Sequence, residues 1–168
     1  NYAEAYNHLG NALIEQGELK KAINAYKKSI LLKPNYANAY NNLGVALQNQ
    51  GKLNEAIEAY EKALYLKPEC AELHRNIANA YNDQGKFDKA IESYNKALSL
   101  KPDYAEAYNN LGVTLHNLHK FDEAIKNYNL AISLKPDYAE ALNNKGITLQ
   151  AQGNNEEAIR SYNRAILL

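Results

Sequence analysis

The sequence has 168 residues, and 46% of them are hydrophobic, which is enough for a core of useful size. Nineteen basic and nineteen acidic residues give a formal net charge of zero, so we expect neither a nucleic-acid partner nor attraction to anionic membranes. No apolar run approaches the roughly 20 residues of a membrane-spanning helix, and no signal-peptide pattern is present, so no membrane partner is predicted.

An internal repeat of 34 residues organises the whole chain. The four prolines all follow a lysine and fall at that spacing: Pro34, Pro68, Pro102 and Pro136. The eight glycines occupy two columns of the same period: Gly10, Gly44, Gly112 and Gly146, then Gly17, Gly51, Gly85 and Gly153. In chain order the predicted repeats are 3–36, 37–70, 71–104, 105–138 and 139–168.

Each repeat is predicted to form two helices, near residues 3–16 and 20–33 in the first copy. The Gly51 column separates them, since glycine suits the left-handed backbone that ends a helix. The Pro68 column ends the second helix, because the residue before a proline disfavours helical dihedrals. We expect the small Gly44 column to let the two helices approach closely, with the Tyr60 column filling the remaining space.

These features resemble the tetratricopeptide repeat, and the resemblance covers the whole chain. The motif residues of the second copy include a tyrosine where the family often has tryptophan: Tyr40, Leu43, Gly44, Leu47, Ala56, Tyr60, Ala63 and Pro68. The resemblance implies an all-α fold, an α-solenoid of five tandem helix-turn-helix repeats. It also implies a right-handed superhelix with a concave groove lined mainly by the first helices, as a single solenoid domain over 1–168.

Some copies depart from the pattern. His119 takes the place of the turn glycine, where a left-handed backbone costs a side chain some free energy. The fifth copy replaces apolar residues with Lys145 and Asn155, which suits a repeat that is truncated or caps the array. Since the chain starts and stops near a repeat boundary, we expect an excerpt of a longer protein.

Two adjacent columns of the first helices are rich in asparagine, although asparagine is a poor helix former. The columns read Asn7, Asn41, Arg75, Asn109 and Asn143, and His8, Asn42, Asn76, Asn110 and Asn144. Against alanine, the eight asparagines lower helix stability by roughly 5 kcal/mol if their penalties add, which indicates a use for them. On a helical wheel both columns point away from the packed face of their own helix. The family resemblance implies that this side faces the groove.

A carboxamide both donates and accepts hydrogen bonds, so a row of them can pair with the main chain of an extended peptide. Apolar positions on the same face are expected to receive ligand side chains. The predicted peptide-binding residues are Asn7, Asn11, Asn41, Asn42, Val45, Arg75, Asn76, Asn79, Asn109, Asn110, Val113, Asn143 and Asn144. Because these side chains are expected to support no core, a variant with alanine at 42, 76, 110 and 144 is predicted to be no less thermally stable than the parent.

The predicted function is therefore a protein-protein interaction module that binds an extended peptide, with several alternatives left open. The asparagine columns are similar to those of protein O-linked N-acetylglucosamine transferases, which implies a substrate-recruiting array of a larger glycosyltransferase. A self-associating array, through its ends or its groove, or an engineered repeat protein is a further alternative, as is a merely solvated polar face. The clamp that holds carboxylate tails of chaperones is disfavoured, because Glu140 and Asn144 stand where basic residues are needed.

No catalytic motif is visible, so we expect no enzyme activity, no cofactor and no metal site. His116 and His119 have helical spacing but lack an evident third ligand. Cys70 is the only cysteine, which excludes an intramolecular disulfide and favours a reducing, cytoplasmic location. Its expected role is that of a small packed residue.

Overall fold

A computed structural model describes residues 2–168. They form ten α-helices, and this range contains no strand. The helices are α1 (Tyr2–Glu15), α2 (Leu19–Leu32), α3 (Ala37–Asn49), α4 (Leu53–Leu66), α5 (Ala71–Asp83), α6 (Phe87–Leu100), α7 (Ala105–Asn117), α8 (Phe121–Leu134), α9 (Ala139–Ala151) and α10 (Asn155–Ile166). The all-α solenoid of helix pairs is confirmed, and the first two helices start one residue before their predicted positions.

The helices group into two compact units, Asn1–Gly85 and Lys86–Leu168. In the first unit, the helices of each repeat pack on one another, and α2 and α4 each pack on the first helix of the following repeat. The second unit has the same order, with α6 on α7 and α8 on α9. First helices of successive repeats also touch within a unit: α1 with α3, α3 with α5, and α7 with α9.

A tyrosine ring of the second helix lies directly against a glycine of the first. A Cβ added at Gly44 would lie 2.6 Å from Cε1 of Tyr60, which is closer than real Cβ contacts come. The same pairing recurs in three other repeats, between Gly10 and Tyr26, Gly112 and Tyr128, and Gly146 and Tyr162. The predicted close approach of the two helices is confirmed in these four repeats. The third repeat has Ala78 at the glycine position, and its Tyr94 is buried as well.

The tyrosines keep their hydroxyl groups hydrogen-bonded although their rings are buried. The hydroxyl of Tyr60 donates to Oε1 of Gln48 at 3.0 Å, and that of Tyr26 donates to Oδ1 of Asn11 at 2.9 Å. Burial raises the pKa of Tyr128 to about 12, because the phenolate would be poorly solvated in this position. These rings therefore stay neutral and act as packing groups.

The turn between the two helices has a left-handed residue in every repeat. Four of these residues are glycines with φ between 71° and 83°: Gly17, Gly51, Gly85 and Gly153. The fifth is His119, with φ of 58°, so the predicted left-handed geometry at this position is confirmed. The ring of His119 meets that of Phe121 edge-on at 5.6 Å, which offsets part of the backbone cost.

The lysine before three of the four prolines packs against a tyrosine ring. Its ammonium group lies over a tyrosine ring of the following turn, at 4.8 Å for Lys33 over Tyr36. The same contact joins Lys101 to Tyr104 and Lys135 to Tyr138. Where Cys70 replaces that tyrosine, Lys67 instead donates to Oδ1 of Asn38 at 3.1 Å.

We expect Gly44→Ala to lower the free energy of unfolding by about 1 to 2 kcal/mol, since overpacking against Tyr60 outweighs the gain in helix propensity. Urea unfolding followed by circular dichroism measures the change. In a Tyr60→Leu background the same substitution should be neutral or stabilising, because the ring is gone. An equal loss in both backgrounds would contradict the packing explanation.

We expect His119→Gly to raise the free energy of unfolding by about 0.5 to 1 kcal/mol, because glycine adopts a positive φ without a Cβ clash. Thermal and urea unfolding measure the gain. Gly85→Ala is the matched control, because it makes the opposite change at the equivalent turn and should be destabilising. A His119→Gly variant less stable than the parent would show that the contact with Phe121 outweighs the backbone strain.

Candidate peptide-binding surface

The asparagines of the two columns hydrogen-bond to one another between neighbouring repeats. Asn42 Nδ2 donates to Asn7 Oδ1 at 3.0 Å, and Asn76 Nδ2 donates to Asn41 Oδ1 at 2.9 Å. In the second unit Asn144 Nδ2 donates to Asn109 Oδ1 at 3.1 Å. Each bond joins residues 35 positions apart, from the second column of one repeat to the first column of the preceding repeat. We call these bonds the inter-repeat amide ladder.

The ladder follows from the way that first helices lie beside one another. Because α1 touches α3, α3 touches α5, and α7 touches α9, a polar side chain that leaves its own packed face meets the neighbouring first helix. A carboxamide suits this position, since it donates to the preceding repeat and still has an acceptor. A hydrogen bond of this kind contributes about 0.5 to 1.5 kcal/mol, which offsets the propensity penalty of an asparagine.

Three of the predicted binding residues are buried by this arrangement. Asn109 is fully buried, and Asn7 and Asn76 are only 4% and 6% exposed. These three side chains point away from the core of their own helix, as the helical wheel predicts. The expectation that they face an open groove is wrong, because the neighbouring repeat covers them. The other ten residues of the predicted set are half-buried or exposed. Half-buried residues of the predicted set are Asn41, Asn42, Arg75, Asn79, Asn110, Val113 and Asn144, and exposed ones are Asn11, Val45 and Asn143.

Asn42 has the most completely defined environment of these asparagines. Its Nδ2 donates to Asn11 Oδ1 at 3.1 Å as well as to Asn7, which uses both amide hydrogens. Asn11 in turn accepts from the hydroxyl of Tyr26. Among the residues that the structure describes, none donates to the Oδ1 of Asn42. The side chain is therefore held in one orientation with its oxygen as the acceptor that remains.

Arg75 interrupts the first column and alters the pattern locally. Its Nη2 donates to Oδ1 of Asn76 at 2.9 Å, so this asparagine both donates to Asn41 and accepts from its neighbour. In the second unit, Nδ2 of Asn109 also donates to Oε1 of Glu140 at 3.1 Å. Both asparagines thus make two side-chain hydrogen bonds, but the oxygen of Asn76 accepts one of its bonds whereas Asn42 uses only its amide hydrogens.

Models of known repeat families match most of the chain. A model described as "TPR repeat" matches residues 10–51 and 78–119, and two described as "Tetratricopeptide repeat" match 37–70 and 103–166. The chain belongs to the tetratricopeptide repeat family. The comparison with curated proteins found no match.

Solved structures of tetratricopeptide repeat proteins share the fold of this chain. A crystal structure of MamA is 29% identical with a TM-score of 0.81, covering 94% of this chain and 92% of that one. YrrB, described as "a TPR protein with an unusual peptide-binding site", is 27% identical with a TM-score of 0.72, covering 96% and 83%. PilF of Pseudomonas aeruginosa, at 21% identity and a TM-score of 0.89, covers 99% and 76% and supports the fold alone.

The acidic residues at the start of the first helices have partners in this tetratricopeptide array. Glu4 pairs with Lys33 at 3.4 Å, and Glu140 accepts from Asn109 as described above. Their favourable position in the first helical turn is therefore combined with specific contacts. Glu4 thus links the two helices of its own repeat, and Glu140 links the fifth repeat to the fourth.

A second set of side-chain bonds between repeats was not predicted from the sequence. Gln84 Nε2 donates to Asn54 Oδ1 at 2.7 Å, and Gln152 Nε2 donates to Asp122 Oδ1 at the same distance. Both bonds join residues 30 positions apart. In the sequence, the column of Gln84 and Gln152 lies 30 positions after the polar column of Asn54 and Asp122. This spacing is the signal that could have predicted the two bonds.

The structure provides no sign of a metal site in residues 2–168, where no cluster of three histidine, cysteine or carboxylate side chains occurs. Nδ1 of His116 lies 2.9 Å from Oγ1 of Thr148, and its ring packs on Phe121 at 5.4 Å. No helix within the described range is both long and apolar enough to cross a membrane.

The ladder reverses the expectation that groove asparagines do not affect stability. We predict a coupling free energy of about 0.5 to 1.5 kcal/mol between Asn7 and Asn42 in a double-mutant cycle with alanine. The cycle cancels the helix propensity that each Asn→Ala change gains. A control cycle between the exposed residues Asn24 and Asn49 should give no coupling. A value near zero for Asn7 and Asn42 would mean that the bond does not stabilise the array.

Proposed function

We propose that the chain is a protein-interaction module that binds an extended peptide segment of a partner, with no catalytic role of its own. The family and the structural likeness to YrrB, described as having a peptide-binding site, support the general role. The extended conformation of the ligand and a cytoplasmic location are the finer parts of the proposal. They rest on the chemistry of the asparagine columns and on the single Cys70.

The observation that carries the proposal is the fixed orientation of Asn42. Its two amide hydrogens are engaged by Asn7 and Asn11, and its Oδ1 is left as an acceptor on a half-buried side chain. Asn144 has the same ladder bond, to Asn109, in the second unit. Since these side chains are already ordered, a peptide N–H can bond to them with little loss of rotamer entropy.

Apolar side chains next to these acceptors provide places for ligand side chains. Val45 lies one helical turn after Asn42 and is 37% exposed, and Ile147 lies one turn after Asn144 and is 44% exposed. A main chain bonded to the asparagine can place a side chain on the neighbouring aliphatic group. Such a site recognises the peptide through its main chain and has little selectivity for its side chains.

The roles of the predicted residues differ within this proposal. Asn42 in the first unit and Asn144 in the second each contact a peptide, with Val45 and Asn143 as exposed neighbours on the same helices. Asn11 is an exposed neighbour of Asn42 on α1. Asn7, Asn76 and Asn109 act indirectly by holding other amides, since they are buried. The remaining members contribute through their accessible portions: Asn41, Arg75, Asn79, Asn110 and Val113.

We predict that a variant with Asn42→Ala and Asn144→Ala binds peptides at least about tenfold more weakly than the parent, since each lost hydrogen bond costs about 1 kcal/mol. A screen on immobilised peptides identifies a ligand, and fluorescence anisotropy then measures its dissociation constant. The matched control replaces Asn24 and Asn129, which are exposed on second helices, with alanine and should bind normally.

Modified peptides separate main-chain from side-chain recognition. N-methylation of single peptide bonds removes the donor that Asn42 or Asn144 requires, so it should abolish most binding at one or two positions. Alanine replacement of peptide side chains should have smaller effects. Unchanged binding after both Asn→Ala substitutions, or tolerance of N-methylation at every position, would refute main-chain recognition by the asparagines.

A further inference from the structure

Each unit has a groove between the second helices of two successive repeats. In the first unit a groove of about 520 Å³ lies between α2 and α4, and Tyr40, Leu43 and Leu47 of α3 form its apolar part. In the second unit a groove of about 370 Å³ lies between α8 and α10 and is lined by Ile132, Leu142, Lys145, Arg160, Ser161 and Arg164. We call them the α2/α4 groove and the α8/α10 groove. They use equivalent positions three repeats apart, so they are two versions of one feature.

The α2/α4 groove is acidic at its edges. Three carboxylates of α4 line it, from Glu55, Glu58 and Glu61, together with the ammonium groups of Lys27 and Lys62. These charges leave one net negative charge around an apolar centre. This groove therefore has no preference for an anion.

The α8/α10 groove has the opposite charge. Arg160 takes the position of Glu58, and Lys145 takes that of Leu43. With Arg164, three cationic groups face a single carboxylate, that of Glu157, which leaves two net positive charges in the groove. Because the chain as a whole is neutral, this excess is a local property of the α8/α10 groove.

Lys145 is the most unusual of the three cations, because its column otherwise belongs to the core. Leu43, Ile77 and Leu111 at the equivalent positions are 8%, 4% and 5% exposed, whereas Lys145 is half-buried. Within residues 2–168, neither Lys145 nor Arg160 forms an ion pair. A partly buried ammonium group without a counter-ion is costly, and an anion in the groove offsets that cost.

Arg164 is held at the groove by a backbone contact. Its Nη2 donates to the carbonyl oxygen of Pro136 at 3.2 Å, which leaves the other N–H groups of the guanidinium as donors. A guanidinium presents its donors in a fixed fork that matches the oxygens of phosphate. The groove thus combines one anchored guanidinium with two cations that have no partner in the described range.

The opening of the groove is a property of its position in the repeat. Lys145 is on α9, between α8 and α10, and all three helices are present. In the first unit α5 packs on α4, and the equivalent α2/α4 groove is still open. The column of Arg160 is exposed in every other repeat as well, at Asn24, Glu58, Glu92 and Lys126.

We propose that the α8/α10 groove binds a phosphate monoester through Lys145, Arg160 and Arg164. Such a group has a charge of about −1.5 to −2 at neutral pH, which matches the groove better than the single charge of a carboxylate. Ile132 and Leu142 provide apolar surface for the organic part of the ligand, and the volume of the groove is in the usual range for small ligands. The proposal does not rest on the asparagine columns or on peptide binding.

Titration of the 15N-labelled chain with phenyl phosphate tests the site. Amide chemical shifts of groove residues, including Lys145 and Ser161, should change in a saturable way, and those of the α2/α4 groove should not. Benzoate has the same ring with one negative charge and should bind at least about threefold more weakly. Shifts that do not saturate in the α8/α10 groove, or equal affinity for benzoate, overturn the proposal.

Three substitutions locate the binding groups. Arg160→Glu introduces the residue that α4 has at this position, and Lys145→Leu restores the residue of the interior column, so both variants should fold. Each should weaken phenyl phosphate binding by about tenfold or more, because a charge-assisted hydrogen bond is lost. Lys126→Glu is the matched control, because it reverses one charge at an exposed position of α8 outside the groove.

Circular dichroism verifies the fold of each variant, and Lys126→Glu should bind as the parent does. An equal loss in Lys126→Glu would show that net charge alone attracts the anion, and would overturn the site. Unchanged binding in both Arg160→Glu and Lys145→Leu would do the same.

A phosphotyrosine within a peptide of alanines distinguishes two sources of the phosphate monoester. Binding about tenfold tighter than that of phenyl phosphate assigns the groove to a phosphorylated side chain of a partner protein. Equal or weaker binding assigns it to a small phosphorylated molecule. The unphosphorylated peptide should leave the groove unchanged, and equal shifts with this peptide would contradict recognition of the phosphate.

Discussion

The close contact between a tyrosine ring and a glycine in four of the five repeats is the constraint on which the remaining structure depends. With no Cβ at Gly44, α3 and α4 approach until the ring of Tyr60 lies on the backbone of the first helix. This contact fixes the geometry of the helix pair, and so fixes which side of each first helix meets the next repeat. The third repeat accommodates Ala78 at this position beside the buried Tyr94. A side chain larger than alanine would push the two helices apart and displace the side chains that bridge repeats.

The amide ladder is a consequence of that geometry. Once first helices lie side by side, the positions of Asn41 and Asn42 are neither core nor surface, but the boundary between repeats. A hydrophobic residue there would be half exposed, and a charged one would face its own copies from adjacent repeats. An asparagine instead donates to one neighbour and accepts from another, and this explains why the chain tolerates a poor helix former in mid-helix.

The fold could be predicted almost completely from the sequence, because its determinants repeat. The columns of Pro68, Gly51 and Gly44 mark a helix end, a turn and a close contact, and each recurs four times. The 34-residue period therefore identifies these positions from the sequence alone. The strained turn at His119 was also visible, as a break in a glycine column.

The candidate site was predicted only in part, because a helical wheel describes one helix at a time. It placed Asn7 and Asn109 correctly away from their own core but could not see that the neighbouring repeat buries them. A recurring polar column in a solenoid therefore has two explanations, a bond between repeats and a bond to a ligand, and recurrence favours both equally. The two explanations are distinguished by the hydrogen-bonding groups that each side chain leaves unpaired. Asn76 both donates and accepts within the array, whereas the Oδ1 of Asn42 remains as an acceptor. We therefore propose that the ligand-binding residues of this array are those whose hydrogen bonds to the neighbouring repeat are incomplete.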